Sequence, residues 1–205
     1  MMTQTYPKEV KLKDGRSVLI RPLAHDDFDS LLAFFQALPE GDRIFLRHDV
    51  RDPEIVRKWT EQLDLKEVIP LVALDGDRIV GNGSLHIMPH GWMHHVGHLR
   101  LVTARSHRNK GLGGLLTREL VALAEERDLE KIQAHVIQDN QGAVKMFQAV
   151  GFETAAVLDG MVKDITGRKH NLAIMVNDVA HLRRLMEDWI QDSVLPGYRA
   201  PGAGA

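Results

Sequence analysis

The amino-acid sequence predicts an α/β fold in which a central sheet is wrapped by helices on both faces. Two observations carry this prediction: short β-like runs joined by Asp-Gly turns alternate with amphipathic helices, and 44% of the 205 residues are hydrophobic. A chain of this length and composition can bury one substantial core. We therefore expect one domain over residues 1–195, followed by a disordered tail at 196–205, which is rich in Gly, Pro and Ala.

The N-terminal half is predicted to contain two hairpins separated by two helices. The runs Asp14-Gly15 and Asp75-Gly76-Asp77 mark the two turns. Asp26 or Asp27 caps the first helix, and Pro39 with Gly41 ends it. The expected elements are strands Glu9–Leu12 and Ser17–Arg21, a helix with an apolar face from Phe28 to Leu38, a helix from Pro53 to about Leu63, and strands Ile69–Leu74 and Arg78–Leu85.

The C-terminal half is predicted to alternate strands with helices and to end in a strand pair. Apolar residues recur at helical spacing from Leu112 and again after Asn140, with a β-like run between them. The expected elements are a loop at Met88–His95, a strand Val96–Thr103, a helix from Leu112, a strand Ile132–Ile137, a helix from Asn140, strands Glu153–Leu158 and Asn171–Val176 around a turn at Gly167-Arg168-Lys169, and an extra helix at 178–192.

The most informative segment is the Arg108–Gly113 loop, which lies between a predicted strand and a predicted helix. A glycine-bearing loop at a helix start presents unpaired N–H groups at the positive end of the helix dipole, which suits phosphate. Arg108 and Lys110 add positive charge. A Walker A loop would need Lys-Ser/Thr after its last glycine, and here Gly114 and Leu115 follow Gly113. A dinucleotide-binding turn places its first glycine almost directly after the strand, and here the seven residues Ala104–Lys110 intervene. The spacing therefore fits neither nucleotide-binding motif.

Two motifs at matched spacing carry a family resemblance. Arg108-x-x-Gly111-x-Gly113 is similar to the (Arg/Gln)-x-x-Gly-x-(Gly/Ala) motif of the GNAT superfamily of N-acetyltransferases, whose loop holds the pyrophosphate of acetyl-CoA. The run Asn140-x-x-Ala143-x-x-Met146-Phe147-x-x-x-Gly151-Phe152 resembles the Asn-x-x-Ala-x-x-Leu-Tyr-x-x-x-Gly-Phe segment of that superfamily. The resemblance covers about residues 15–176, and it is loosely nearest the bacterial protein lysine acetyltransferase-like members.

The resemblance implies a mixed, mostly antiparallel sheet with a splayed pair of strands. It also implies a cofactor whose pantetheine arm hydrogen-bonds the backbone of the strand before the loop. Acetyl-CoA would be the cosubstrate, and a primary amine would attack the thioester directly in a ternary complex. Asn140 would cap its helix and contact the pantetheine. The residues implied to bind the cofactor are Leu101, Val102, Thr103, Arg108, Asn109, Lys110, Gly111, Leu112, Gly113, Gly114, Asn140, Ala143 and Phe147.

His98 is the candidate general base. Bacterial protein lysine acetyltransferases of the superfamily carry a Glu on this strand that aligns with His98. An unperturbed imidazole has a pKa of about 6.5, so it can accept a proton from the attacking amine at working pH. Under regular alternation His98 shares a strand face with Arg100 and Val102, although a bulge would change that parity. His94 and His95 are neighbouring alternatives, and an ordinary hydrogen-bonded histidine fits the sequence equally well.

Phe147 departs from the family pattern. Relatives commonly carry a Tyr there, whose hydroxyl can donate a proton to the departing thiolate, and a phenyl ring cannot. The only tyrosines, Tyr6 and Tyr198, lie near the termini. A CoA-type thiol resembles a Cys thiol, with a pKa of about 8.5, and can leave without full protonation. Lysine acetyltransferases of the superfamily often lack this Tyr as well.

A group of five histidines raises a metal hypothesis: His86, His90, His94, His95 and His98. Imidazoles ligate zinc, but neither an i,i+4 helical frame nor a pair of carboxylates accompanies these residues. We predict no metal site.

The bulk properties exclude several classes of protein and site. A net charge of −2 gives no indication of nucleic-acid binding. The absence of Cys excludes disulfides, thiolate metal sites and an acetyl-thioester on the enzyme. Met1–Val10 lacks a secretory signal, and the longest apolar stretch, around Val68–Leu74, is too short to span a bilayer. We expect a cytoplasmic protein without a membrane partner.

The extra helix at 178–192 carries an apolar stripe formed by Val179, Leu182, Leu185, Met186 and Trp189. Such a stripe either packs on its own domain or forms the interface of a homodimer.

The predicted function is N-acetyl transfer from acetyl-CoA to a primary amine, either a small molecule or a protein lysine. Two alternatives stay open. One is a non-catalytic acyl-CoA-binding sensor that keeps the loop without an acid–base pair. The other is a nucleotide-binding regulatory domain.

Overall fold

One sheet of eight strands organises the computed structural model, which describes residues 6–43, 46, 48–164 and 166–185. The strands are β1 (Lys8–Lys11), β2 (Ser17–Pro22), β3 (Val68–Asp75), β4 (Arg78–Ile87), β5 (Val96–Thr103), β6 (Lys131–Ile137), β7 (Glu153–Lys163) and β8 (Lys169–Asp178). Their order in the sheet is β1-β2-β3-β4-β5-β6-β8-β7. The fold is therefore a mixed α/β architecture, as the sequence predicts.

In the ranges that the structure describes, five helices lie between the strands, and a further helical segment covers 179–185. They are α1 (Phe28–Gln36), α2 (Glu40–Arg43), α3 (Pro53–Glu61), α4 (Leu112–Glu125) and α5 (Gln141–Ala149), with short 3₁₀ turns at His25–Asp27 and Arg105–His107. The sequence-predicted starts of α3, α4 and α5 are confirmed. Pro53, Gly111 and Asn140 occupy the N1 or N-cap positions that suit them.

The centre of the sheet contains a splayed pair of strands. Among the described strands, β5 and β6 are the only parallel neighbours, and their pairing runs only from Val96–Lys131 to Leu99–Ala134. Beyond this point β5 stays paired with β4 as far as Thr103, and β6 stays paired with β8 as far as Ile137. The two strands therefore diverge and leave an opening in the middle of the sheet.

Helices cover both faces because the strands alternate apolar residues to either side. On β3, Leu71 packs in the cluster that includes Leu116 and Leu120 of α4, whereas Val72 packs in the cluster that includes α1 and α3. Gly83 on β4 lets α4 approach closely, since a Cβ there would lie 3.0 Å from Leu120 Cδ1.

The largest differences from the sequence-based expectation concern β7, β8 and the helix after Pro39, and most other strands differ by one or two residues at their ends. β7 continues beyond the expected end at Leu158 to Lys163, through a register shift after Leu158, and β8 begins at Lys169 instead of Asn171. The Asp159-Gly160 pair has the composition of a turn, but it lies inside a bulged strand. The short helix α2 follows Pro39, whose carbonyl accepts hydrogen bonds from the N–H groups of Asp42 and Arg43. A helix ends before Pro39 as expected, and a second one starts immediately after it.

The extra C-terminal helix starts where the sequence predicts. Val179 and Leu182 are buried in the core cluster on the α4 side of the sheet. Leu185 is partly exposed. The rest of the predicted helix, with Met186 and Trp189, and the predicted tail at 196–205 lie outside the described residues.

Candidate active site

The opening between β5 and β6 is the centre of a cleft with a volume of about 1400 Å³. The end of β5, the Arg108–Gly113 loop and α5 form one part of it, and α1 and α3 border the other. The predicted cofactor-binding residues that line this cleft are Leu101, Val102, Thr103, Arg108, Asn109, Gly111, Gly113, Gly114, Asn140, Ala143 and Phe147. The fold therefore brings two sequence motifs that are about 30 residues apart into one cavity.

The Arg108–Gly113 loop takes a left-handed path into α4. Asn109 has φ 59° and Gly111, the N-cap, has φ 89°. The first hydrogen bond of the helix runs from the Leu115 N–H to the Gly111 carbonyl at 3.0 Å. The N–H groups of Leu112, Gly113 and Gly114 precede it, so they have no acceptor within the helix. This end of α4 combines N–H donors with the positive pole of a 14-residue helix, as an anion site requires.

Both cations of the loop are bound to carboxylates. The Arg108 guanidinium contacts the Asp42 carboxylate of α2 at 2.8 and 3.0 Å and donates to the Thr103 carbonyl at 3.4 Å. The Lys110 ammonium lies 3.1 Å from Asp14. Hydrogen bonds from Arg16 and then from Lys110 hold the pKa of the Asp14 carboxyl well below its usual range. Asp42 and Asp14 therefore form ion pairs with the two cations, Arg108 and Lys110, that the sequence assigns to diphosphate binding.

A buried histidine in front of the loop was missed at the sequence level. His107 is 4% exposed, and its Nε2 lies 3.1 Å from Asp75 Oδ2 while its Nδ1 lies 2.9 Å from Ser106 Oγ. Arg16 adds a contact at 3.1 Å. These bonds tie the segment before the loop to the β3–β4 turn. Nothing in the local spacing of His107 indicates this role, because Asp75 is distant in sequence.

The start of α4 packs against α5 at Gly113. A Cβ at Gly113 would lie 3.4 Å from Met146 Cγ and 3.5 Å from Leu101 Cδ2. A methyl group there is at ordinary contact distance, and any longer side chain meets Met146 or Leu101. The second glycine of the motif therefore keeps the loop, β5 and α5 in close contact.

α5 contributes a capped start and an apolar interior face to the cleft. Asn140 Oδ1 accepts a hydrogen bond from the Ala143 N–H at 3.1 Å, which confirms the predicted N-cap. Phe147 is 5% exposed and its ring centroid lies 5.1 Å from that of Phe152. Phe147 thus belongs to the core and to the cleft wall together.

His98 belongs to a row of polar side chains on the sheet face opposite α4, which we call the polar row: Ser84, His86, His98, Gln133 and His135. In register, His86 on β4 faces His98, and His98 faces Gln133 on β6. Gln133 Nε2 lies 2.6 Å from His98 Nε2, and the ring centroids of His98 and His135 are 5.6 Å apart. Ser84 Oγ lies 2.9 Å from His86 Nε2. The sequence identified His86 and His98, but it missed His135 and Ser84, because their proximity depends on strand register.

Alternation on β5 is regular, so His98, Arg100 and Val102 share one face. The β4–β5 ladder runs without a register shift from Gly97 to Thr103, and Leu99 packs on the α4 side.

Three predicted residues lie outside the cleft lining: Lys110, Leu112 and His98. Leu112 is buried in the core, Lys110 is bound to Asp14, and His98 lies beside His86 and His135, which do line the cleft.

The described part of the chain contains no group of three or more His, Asp or Glu side chains placed to hold a metal ion. Within the same ranges, every helix is too short or too polar to cross a bilayer.

Comparison with known proteins agrees with the geometry. The model of the acetyltransferase (GNAT) family matches residues 31–152. The GNAT domain of S. lividans PAT is 19% identical with a TM-score of 0.70, and the match covers 84% of this chain and 96% of that one. A ribosomal-protein-alanine N-acetyltransferase from Brucella melitensis is 26% identical with a TM-score of 0.68, covering 78% and 99%.

A third similar structure is yncA from Salmonella typhimurium, solved with its cofactor acetyl-CoA. It is 18% identical with a TM-score of 0.66, and the match covers 79% of this chain and 94% of that one. A search of curated proteins gave no significant match. Because the family match spans more than half of the chain, this protein belongs to the GNAT acetyltransferase family and is an acyl-CoA-dependent N-acyltransferase.

Proposed function

We propose that the protein transfers an acetyl group from acetyl-CoA to a primary amine, with both substrates bound at once. One observation carries this proposal: the opening that begins beyond Leu99 and Ala134 and the start of α4 belong to a single cleft. A molecule with a diphosphate at one end and an extended thioester arm fits this layout. The acceptor amine is a small molecule or a protein lysine.

The cofactor contacts divide between backbone and side chains. Leu101, Val102 and Thr103 offer main-chain groups along the edge that β6 leaves open, so the pantetheine arm takes the place of a paired strand. The N–H groups at the start of α4, with the side chains of Arg108 and Lys110, bind the diphosphate. Asn140, Ala143 and Phe147 line the facing wall.

The attacking amine has to lose a proton, and the polar row supplies the acceptors. His98 is the base that we propose. The Gln133 amide nitrogen lies 2.6 Å from its Nε2 and 3.2 Å from its Nδ1, so the amide has to leave one ring nitrogen for that nitrogen to take the proton. His135, whose ring packs edge-on against that of His98, lines the cleft and is the second candidate. The thiolate leaves without a hydroxyl donor from position 147, because Phe147 has none.

Binding measurements test the cofactor assignment. Calorimetry should show CoA and acetyl-CoA binding more tightly than ADP, because the pantetheine arm adds contacts along β5. Equal affinity for CoA and ADP would instead support a nucleotide-binding domain and contradict the proposal.

Turnover measurements test the reaction. CoA release should depend on an added amine, in a panel of amino acids, polyamines and lysine peptides. The variants His98→Ala and His135→Ala, with the exposed His90→Ala as control, identify the base: the one whose loss removes the pH dependence of kcat is the proton acceptor. An unchanged pH–rate profile in both variants would exclude the polar row as the base.

A further inference from the structure

A second buried histidine, on β8, joins two walls of the cleft. His170 on β8 has its Nε2 2.8 Å from Asp164 Oδ2 and its Nδ1 3.0 Å from Asp139 Oδ2. The side chains of His170 and Asp164 are 5% and 4% exposed. Hydrogen bonds to Asp164 and then to Asp139 raise the pKa of His170. Because a carboxylate accepts at each ring nitrogen, both nitrogens donate and the ring is an imidazolium.

One carboxylate belongs to the wall that carries α5. Asp139 directly precedes Asn140, which caps α5 and lines the cleft. The neighbouring rung reinforces this connection: the Gln138 N–H donates to the Asn171 carbonyl at 2.9 Å, and Asn171 Nδ2 donates to Gln138 Oε1 at 3.1 Å. The position of the α5 start is therefore set by bonds to β8.

The other carboxylate organises the turn between β7 and β8. Asp164 Oδ1 accepts from the Thr166 N–H at 2.8 Å, from Thr166 Oγ1 at 2.6 Å and from the Arg168 N–H at 3.1 Å. The strand end before this turn, with Lys163, lines the main cleft. A side cavity of about 510 Å³ lies between the two walls, and Asn140, Arg168 and His170 are among its lining residues.

We propose that His170 is a positioning residue that bridges the start of α5 to the β7–β8 turn and so holds both walls of the acyl-CoA cleft in register. The proposal rests on the proposed function, since α5 has to contact the cofactor for the bridge to matter. A histidine that only fills space would anchor neither wall. A bridge predicts that removing His170 loosens both walls, whereas removing one carboxylate loosens only the wall that carries it.

The charges around the bridge set the sign of its pH dependence. Asp139 faces His170 from the β6–α5 connection, Asp164 and Arg168 face it from the turn, and Asp42 of α2 borders the same cavity. With its pKa raised in the folded state, His170 keeps the bridge intact below the ordinary imidazole value, and the bridge is lost as pH rises through the raised value.

The test compares His170→Gln with the control His90→Gln, which changes an exposed loop histidine. Amide hydrogen exchange is the first readout. In His170→Gln, the amides of Ala143 and of Thr166 and Arg168 should exchange roughly tenfold faster, as expected when a charge-assisted hydrogen bond holding a local segment is lost. CoA should bind several-fold more weakly, and the decline in affinity that we expect of wild type as pH rises through the raised pKa of His170 should be absent. Unchanged exchange at both walls would overturn the proposal.

A second variant keeps the test decisive if His170→Gln fails to fold. Asp139 has an exposed side chain, and Asp139→Asn leaves the Asp164 contact in place. It should speed exchange at Ala143 and leave Thr166 and Arg168 unchanged, and equal effects at both walls would contradict the bridge. If wild type does not bind CoA, the proposed function fails on that result alone, while the exchange rates still decide whether His170 joins the two walls.

Discussion

Replacing Gly111 with alanine tests the phosphate loop most directly. Gly111 has φ 89°, and a Cβ there would meet only the Lys13 side chain, at 3.5 Å or more. The substitution therefore adds no steric overlap. Its cost is that of a left-handed backbone at a residue with a Cβ, about 1–2 kcal/mol.

This strain becomes a loss of affinity when the unliganded loop relaxes to another conformation. CoA then has to restore the left-handed path, and up to the whole strain appears in the binding free energy. At 1.4 kcal/mol for each factor of ten, a cost of about 1–2 kcal/mol weakens CoA binding by about 5- to 30-fold at most. Stability in urea should fall by less than the full strain, because relaxation of the loop recovers part of it.

Gly91→Ala is the matched control. Gly91 has φ 86°, has no heavy atom within 4 Å of a Cβ, and lies in the β4–β5 connection away from the loop. Gly91→Ala should lower the urea midpoint of unfolding without changing the Kd for CoA measured by calorimetry. The reasoning is refuted if Gly111→Ala binds CoA as tightly as wild type, or if both variants lose affinity equally.

Three further predictions concern the ion pairs and the helix cap. Asp42→Asn should tighten CoA binding at low salt by up to about fivefold, because a partly exposed pair with Arg108 is worth at most ~1 kcal/mol and no longer competes with the diphosphate. Asn140→Ala should lower the unfolding free energy in urea by about 1 kcal/mol through loss of the α5 cap. Burial raises the pKa of Asp27, but hydrogen bonds from Arg21 outweigh this effect and hold that pKa below its usual value. In urea titrations, wild type should therefore be more stable than Asp27→Asn by its full margin above about pH 4. This margin should vanish as pH falls through the lowered pKa of Asp27.

The first two predictions have a control variant, and the third has an outcome that would contradict it. Asp49→Asn removes an exposed carboxylate from Arg51 and should leave CoA affinity unchanged. Asn140→Ser keeps a capping oxygen, so it should restore stability; CoA affinity stays reduced only if the Asn140 amide contacts the pantetheine. An acid limb that is the same in wild type and Asp27→Asn would show that the Arg21 pair contributes nothing to folding.

The elements that the sequence predicted correctly are those with local causes. A left-handed turn needs glycine at Gly111, and the side chain of Asn140 caps the helix three residues ahead. The ends of β7 and β8 were wrong because Asp159-Gly160 has the composition of a turn, whereas pairing with β8 carries the strand through it as a bulge. Cross-strand pairing outweighed local preference there.

The sequence by itself determined the chemistry at the start of α4, the two motifs and the family they indicate, because each motif depends on residues that are close together along the chain. Only the tertiary structure decided which groups meet. Arg108 binds a carboxylate 66 residues away, His98 touches Gln133 35 residues away, and His170 reaches Asp139 31 residues away. Strand register creates the contact of His98, and the packing of loops and helices around the sheet creates the other two; no spacing along the chain encodes them.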